Sequence, residues 1–142
     1  MSKRRLLKNL EKCYCRVQPS TLHGVGVFAI RRIPKGINPF ELPIPAELTG
    51  LTDADIRPLP PGIKEMIRQY AVKQNGRYVL STLGFNLLDL EYFVNHSDKP
   101  NLIFDDDEGC YRTARTIVRG EELAGDYNRY APKMPAVKYK TK

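Results

Sequence analysis

The chain has 142 residues, a net charge of +7 and an apolar share of 42%, enough to bury the core of one domain. Its apolar stretches are short and interrupted, which excludes the run of about 20 residues that a membrane-spanning helix needs. Three cysteines are a poor disulfide framework because the number is odd, and Cys13 and Cys15 are not at a zinc-ligand spacing, so reduced thiols are expected and no metal site.

Residues 1–13 read as a basic extension, and residues 1–16 carry six basic side chains against one acidic. Lys3, Arg4 and Arg5 have no apolar run behind them, so no secretory leader is expected. The protein is expected to work in the cytoplasm or nucleus, with export as an effector left open. Cys13–Val17 has strand character and is followed by a polar turn, Gln18-Pro19-Ser20-Thr21. Gly24-Val25-Gly26-Val27-Phe28-Ala29-Ile30 comes next; its second half is a strong strand. Ile33-Pro34-Lys35-Gly36 is a turn. Phe40–Ile44 is at most an edge or irregular strand, because Pro39, Pro43 and Pro45 remove ladder donors.

The middle changes character. Thr52-Asp53-Ala54-Asp55 carries a cap and first-turn acids, and Pro58, Pro60, Pro61 and Gly62 keep that helix short. Ile63–Lys73 is the best predicted helix: Ile63, Met66, Ile67 and Tyr70 fall on one face, and Asn75-Gly76 reads as its stop. Short strands return at Tyr78–Thr82, Leu102–Phe104 and Tyr111–Ala114. Asp105-Asp106-Asp107-Glu108-Gly109 joins the last two as a solvated hairpin loop, without the ligand spacing of a calcium loop. Residues 128–142 form a second basic end with five basic and no acidic side chains, which leaves the middle near −3. Solvated tails explain this charge better than a patterned nucleic-acid surface, although nucleic acid is a partner the tails could serve. Many short strands with one helical insert give a mostly β fold of several small curled sheets.

Three segments carry chemistry. Two glycines one residue apart, Gly24 and Gly26, let backbone approach a ligand closely, but without a third glycine and a following helix they make no dinucleotide fingerprint. Tyr92-Phe93-Val94-Asn95-His96-Ser97-Asp98-Lys99-Pro100-Asn101 sets an amide, an imidazole and a hydroxyl side by side, suited equally to holding a polar cofactor and to an irregular turn satisfying its own backbone. A nucleophilic Ser97–His96 pair is not indicated, since no glycine elbow surrounds Ser97. Arg119-Gly120-Glu121-Glu122-Leu123-Ala124-Gly125-Asp126-Tyr127 leads to a tyrosine whose ordinary pKa of ~10 keeps it neutral beside an amine.

In this order the three segments resemble the SET-domain family of protein lysine methyltransferases, with its S-x-I-H-G-x-G-V-F-A, R-F-I-N-H-S-C-x-P-N and G-E-E-L-x-x-D-Y motifs. The resemblance covers residues 14–131, with an insert over about 43–75 and a basic tail at 132–142. It implies a β-clip-like SET fold with a C-terminal pseudoknot and S-adenosylmethionine as methyl donor. It also implies a basic protein or peptide as substrate, a histone being one candidate. Gly24, Val25, Gly26 and Val27 would cradle the cofactor, with Asn95 near its amino-acid end and His96 at the adenine by backbone contacts. Tyr127 would be the catalytic tyrosine and also border the cofactor; Glu122 is given no catalytic role. Tyr92 replaces a frequent arginine and Asp98 a frequent cysteine, and with no cysteine-rich segment after Tyr127 no zinc-bound closing element is expected. Tyr130 and the tail from Pro132 to Tyr139 are the candidates to wall the lysine channel in its place. Gly125 stands where relatives often carry Tyr or Phe, which implies a roomy channel open to more than one methylation. The alternative is a SET fold that binds a peptide, cofactor or nucleic acid without turnover.

Overall fold

The computed structural model describes residues 2–44 and 47–130, without the Tyr130 side chain. In chain order the elements are α1 (Lys3–Glu11), β1 (Cys15–Pro19), β2 (Val25–Ala29), β3 (Leu48–Leu51), α2 (Asp53–Ile56) and α3 (Pro61–Tyr70). There follow β4 (Val72–Gln74), β5 (Arg77–Ser81), β6 (Asn95–His96), β7 (Leu102–Asp105), β8 (Cys110–Thr113), β9 (Glu122–Gly125) and α4 (Tyr127–Tyr130). The architecture is mostly β, in small sheets, as the alternation of short apolar runs and turn residues predicts. The chain divides into two units, one from the segment before Ile44 together with Asp89–Tyr130, the other Ile44–Leu88.

In the first unit the sheet order is β1-β2-β9-β6. β1 and β2 form an antiparallel hairpin from Cys15↔Ala29 to Pro19↔Val25. β9 then lies between β2, to which it is antiparallel, and β6, to which it is parallel. A strand from near the end of the chain is thus inserted between segments from its beginning and its last third. Val27, Ile33, Val94, Ile117 and Leu123 are the fully buried side chains here. The Cys15 thiol lies among them, and burial pushes its pKa up to about 12, so it is packing rather than chemistry.

One buried polar side chain clamps the insertion. Asn101, 6% exposed, donates Nδ2 to the carbonyl of Glu122 at 2.8 Å and accepts the Ala124 amide on Oδ1 at 2.9 Å. Its own amide reaches the Ala124 carbonyl at 3.1 Å. Asn101→Ala would leave two β9 backbone groups unpaired, and a loss of about 2–4 kcal/mol is expected in urea unfolding.

The basic N-terminal extension is not irregular. Ser2 caps α1 by accepting the Arg5 amide at 3.2 Å, and Arg31 Nη2 holds the Glu11 carbonyl at 2.6 Å while its guanidinium lies 4.1 Å over the Tyr14 ring. The first strand begins at Cys15 rather than Cys13, because Cys13 still closes the end of α1 with its amide on the Leu10 carbonyl. Phe40–Ile44 is not a strand; the Phe40 side chain instead packs edge-on against Tyr111 at 6.2 Å. Pro45 lies outside the described residues. The acidic loop is a turn, as expected: Asp105 accepts the amides of Asp107 and Glu108 and pairs with Arg112 at 3.0 Å.

In the second unit Thr52 and Asp55 form a reciprocal capping box at the start of α2. α3 starts at Pro61 and stops at Tyr70, three residues short of the predicted end. Asn75-Gly76 is therefore not a helix stop. Both residues have positive φ, 49° and 75°, and they turn β4 into β5 with Gln74 opposite Arg77, the two-residue hairpin that Asn-Gly favours. Ile56, Ile67, Ala71, Tyr78 and Leu80 form this unit's core.

Glu91 sits in the short 3-10 turn Leu90–Phe93 of the first unit, whose start is capped by Asp89. Burial, and next the charge of Asp89, raises its carboxyl from the ordinary 4.5 to about 7. The folded chain then holds this proton more tightly than the unfolded chain. The stability it contributes is full below pH 4.5 and is lost as pH rises through 7. Glu91→Gln is expected to raise the melting temperature at pH 8 and change it little at pH 4.5. A slope from Asp89, whose carboxyl burial also raises, should remain.

Candidate functional site

The loop between β1 and β2 closes with the Ser20 amide on the Gly24 carbonyl at 2.9 Å, and Gly24 takes φ +47°, a left-handed value that favours glycine. The Ser20 hydroxyl accepts the Leu22 amide at 2.9 Å. Asn95, the first residue of β6, reaches across to this loop. Its Nδ2 lies 3.0 Å from the carbonyls of both His23 and Val25, 2.9 Å from Glu122 Oε1 and 3.2 Å from Ser20 Oγ. Two carbonyls and a carboxylate can only accept, which fixes the orientation of the amide. Its nitrogen is committed to the protein, so the group it can offer a ligand is the acceptor oxygen.

Glu122 is the hub of this arrangement. Both of its oxygens lie 2.8 Å from the Ser20 hydroxyl, and Oε1 also receives Asn95. It can stand there because Gly26 has no side chain. A Cβ at Gly26 would lie 2.0 Å from Glu122 Oε1 and 3.0 Å from Asn95 Nδ2. The second glycine of the loop is therefore required by two site side chains. Glu122, expected to be structural rather than catalytic, holds Ser20 and Asn95 in place, and Ser20, to which no role was assigned from sequence, shares that positioning task. The signal for it was Gly26 itself, a glycine inside strong strand sequence.

The other half of the site is His96 with Tyr127. The imidazole, 7% exposed, lies 3.2 Å from Asp98 through Nε2 and 3.9 Å from Asp126 through Nδ1. Nδ1 accepts the Tyr127 amide at 3.1 Å, so in the neutral ring the proton sits on Nε2, toward Asp98. The two rings are 5.5 Å apart and tilted. The Tyr127 hydroxyl donates to the Val94 carbonyl, one residue before Asn95. Its proton is thereby used, and its oxygen presents lone pairs.

The topology brings Gly24, Val25, Gly26, Asn95, His96 and Tyr127 together in one unit. Val27 takes part only through backbone, since its side chain is fully buried in the core. Gly125 is buried on β9 opposite His96, and its carbonyl accepts the Ser97 amide at 2.9 Å. The Tyr130 side chain and residues 132–142 lie outside the described residues. Among the described residues no cluster of three His, Cys, Asp or Glu could hold a metal ion.

The site's chemistry can be stated as a donor set. The network offers carbonyl, carboxylate, amide and phenol oxygens, and among the described residues no lysine or arginine bonds into it.

A family model described as the SET domain matches residues 24–128. Among solved structures, the crystal structure of a Plasmodium falciparum protein provisionally described as a histone methyltransferase is similar in fold. The TM-score is 0.51 at 18% identity, over 81% of this chain and 93% of that one. No curated protein sequence matches the chain.

Proposed function

The chain belongs to the SET-domain family, a family of protein lysine methyltransferases, and from that premise we propose that it transfers a methyl group from S-adenosylmethionine to the side-chain amine of a lysine in a basic protein, in the cytoplasm or nucleus. The observation that carries this reading is the acceptor-rich cluster of Asn95, Glu122 and the His23, Val25 and Val94 carbonyls beside the Tyr127 oxygen. When bound, S-adenosylmethionine would supply the electrophilic methyl. Gly24, Val25, Gly26 and the Val27 backbone would hold it with Asn95, whose oxygen suits an ammonium, while the His96 backbone would meet the adenine.

The residues of the chain then have a positioning task. A lysine amine reacts only when neutral, and its ordinary pKa is ~10.4. An apolar channel lowers that value by desolvating the ammonium form. Tyr127, whose hydroxyl already donates its hydrogen bond to the Val94 carbonyl, can only accept another and so orients the amine without protonating it. Alignment of amine and methyl in one line supplies much of the rate. Tyr130 and residues 132–139 are our candidates to wall the channel.

Gly125 sets the product state on this reading. Gly125→Tyr is expected to shift the products toward monomethyl-lysine, as read by mass spectrometry of the modified substrate. The function itself is tested by calorimetry with S-adenosylmethionine. Binding that weakens at least about tenfold in Asn95→Ala supports it; no binding by the folded wild-type protein sinks it. Binding without transfer to any of a broad panel of basic proteins would favour the silent module.

A further inference from the structure

A second concave surface lies on the same sheet, beside this network: its Phe28 is paired with Glu122 and its Gln18 with Gly26. β1 contributes Arg16 and Gln18, β2 contributes Phe28, and the turn before β9 contributes Arg119 and Gly120; together they line a cavity of about 180 Å³. Both arginines are exposed, and neither makes an ion pair or side-chain hydrogen bond among the described residues. Their neighbours in sequence behave otherwise: Arg112 is held by Asp105 at 3.0 Å and Arg115 by Glu121 at 2.7 Å. Two guanidiniums on one hollow without a carboxylate between them form a local positive potential. Guanidinium forks fit phosphate oxygens in particular.

The charge continues along the chain. α1 runs through Lys12 directly into β1, and Lys3, Arg4, Arg5, Lys8 and Lys12 are all exposed and without an ion pair among the described residues. Arg31 bonds the Glu11 carbonyl at the end of the helix, so these cations lie on a helical segment joined directly to β1. A single solvent-exposed phosphate contact is weak. Several exposed cations on α1 together with a two-arginine hollow suit a ligand with repeated phosphates, and the hollow takes a phosphate rather than a whole nucleotide.

We propose that the surface formed by α1, β1 and the Arg16–Arg119 hollow binds the phosphodiester backbone of nucleic acid, without reading its sequence. Contacts of this kind position a protein and carry no base information. The surface would bring the enzyme to basic proteins already assembled on nucleic acid, and it stands whether or not the methyl-transfer reading holds.

The test is fluorescence anisotropy of the full chain with labelled duplex DNA and single-stranded RNA of random sequence, over a salt series. The wild-type affinity should fall linearly on a log–log plot against salt. Arg16→Gln/Arg119→Gln should lower the affinity about tenfold or more and make the slope shallower by roughly 2, at about 0.9 per lost duplex contact. Circular dichroism and S-adenosylmethionine binding should stay as in wild type. Unchanged affinity and slope in the double variant would overturn the proposal, as would no binding at low salt. Binding to anionic vesicles but not to nucleic acid would also overturn it, and would point instead to the exposed Leu6, Leu7 and Leu10 side chains of α1.

Discussion

Tyr127→Phe is expected to lower kcat by about two to three orders of magnitude, the usual effect of removing one positioned polar group from a reacting centre. The affinity for S-adenosylmethionine should change by only a few fold. The separation follows from the geometry. The phenylalanine ring keeps the contact with His96, 5.5 Å between centroids, and the backbone amide keeps its bond to His96 Nδ1. Only the oxygen goes, and with it the bond to the Val94 carbonyl. Val94 is buried, so an accompanying stability loss of about 1–2 kcal/mol is expected. A variant that loses cofactor binding and activity together would place Tyr127 in the scaffold rather than at the reacting atoms.

Gly26→Ala has the second large effect, on binding and on folding. The new methyl would meet Glu122 Oε1 at 2.0 Å and Cδ at 2.8 Å. Glu122 cannot retreat with its backbone, because that residue is paired with Phe28 in the sheet. Its carboxylate must swing away and give up Ser20 and Asn95. The expected cost is about 2–3 kcal/mol, with at least a tenfold weaker affinity for S-adenosylmethionine. Two controls isolate the cause. Gly24→Ala meets nothing within 4 Å and should cost only the strain of a left-handed residue, about 1–2 kcal/mol. Glu122→Ala should remove most of the additional penalty of Gly26→Ala, giving a non-additive double mutant.

The parts of this molecule that were legible in sequence are those with local causes. The Gly24 loop, the Thr52 cap and the Asp105 turn each depend on neighbours a few residues away. The family resemblance rested on three ordered motifs, and the site residues it pointed to lie in one unit. What stayed hidden depends on distant partners. β6 is two residues long and gains its identity only by pairing with β9. Glu122 was expected to be structural, but the partners it holds appear only when Gly26, Ser20 and Asn95 are brought to it. Asn101 likewise becomes a clamp only through Ala124 and the Glu122 carbonyl. Asn75-Gly76 fits a helix stop and a hairpin equally well by residue type, and pairing of Gln74 with Arg77 decides it. α1 was read as charge rather than as a helix because its five basic and acidic side chains, all solvated, outweighed Leu6, Leu7 and Leu10 at helical spacing.

The central claim is methyl transfer to lysine, and the most direct measurement is incorporation of label from methyl-labelled S-adenosylmethionine into a panel of histones and ribosomal proteins, with the modified residue located by mass spectrometry. Wild-type protein should add methyl groups to lysine in at least one of them, and Tyr127→Phe should fail to do so while still binding the cofactor. Equal labelling by wild type and Tyr127→Phe, or label found on a residue other than lysine, would contradict the account.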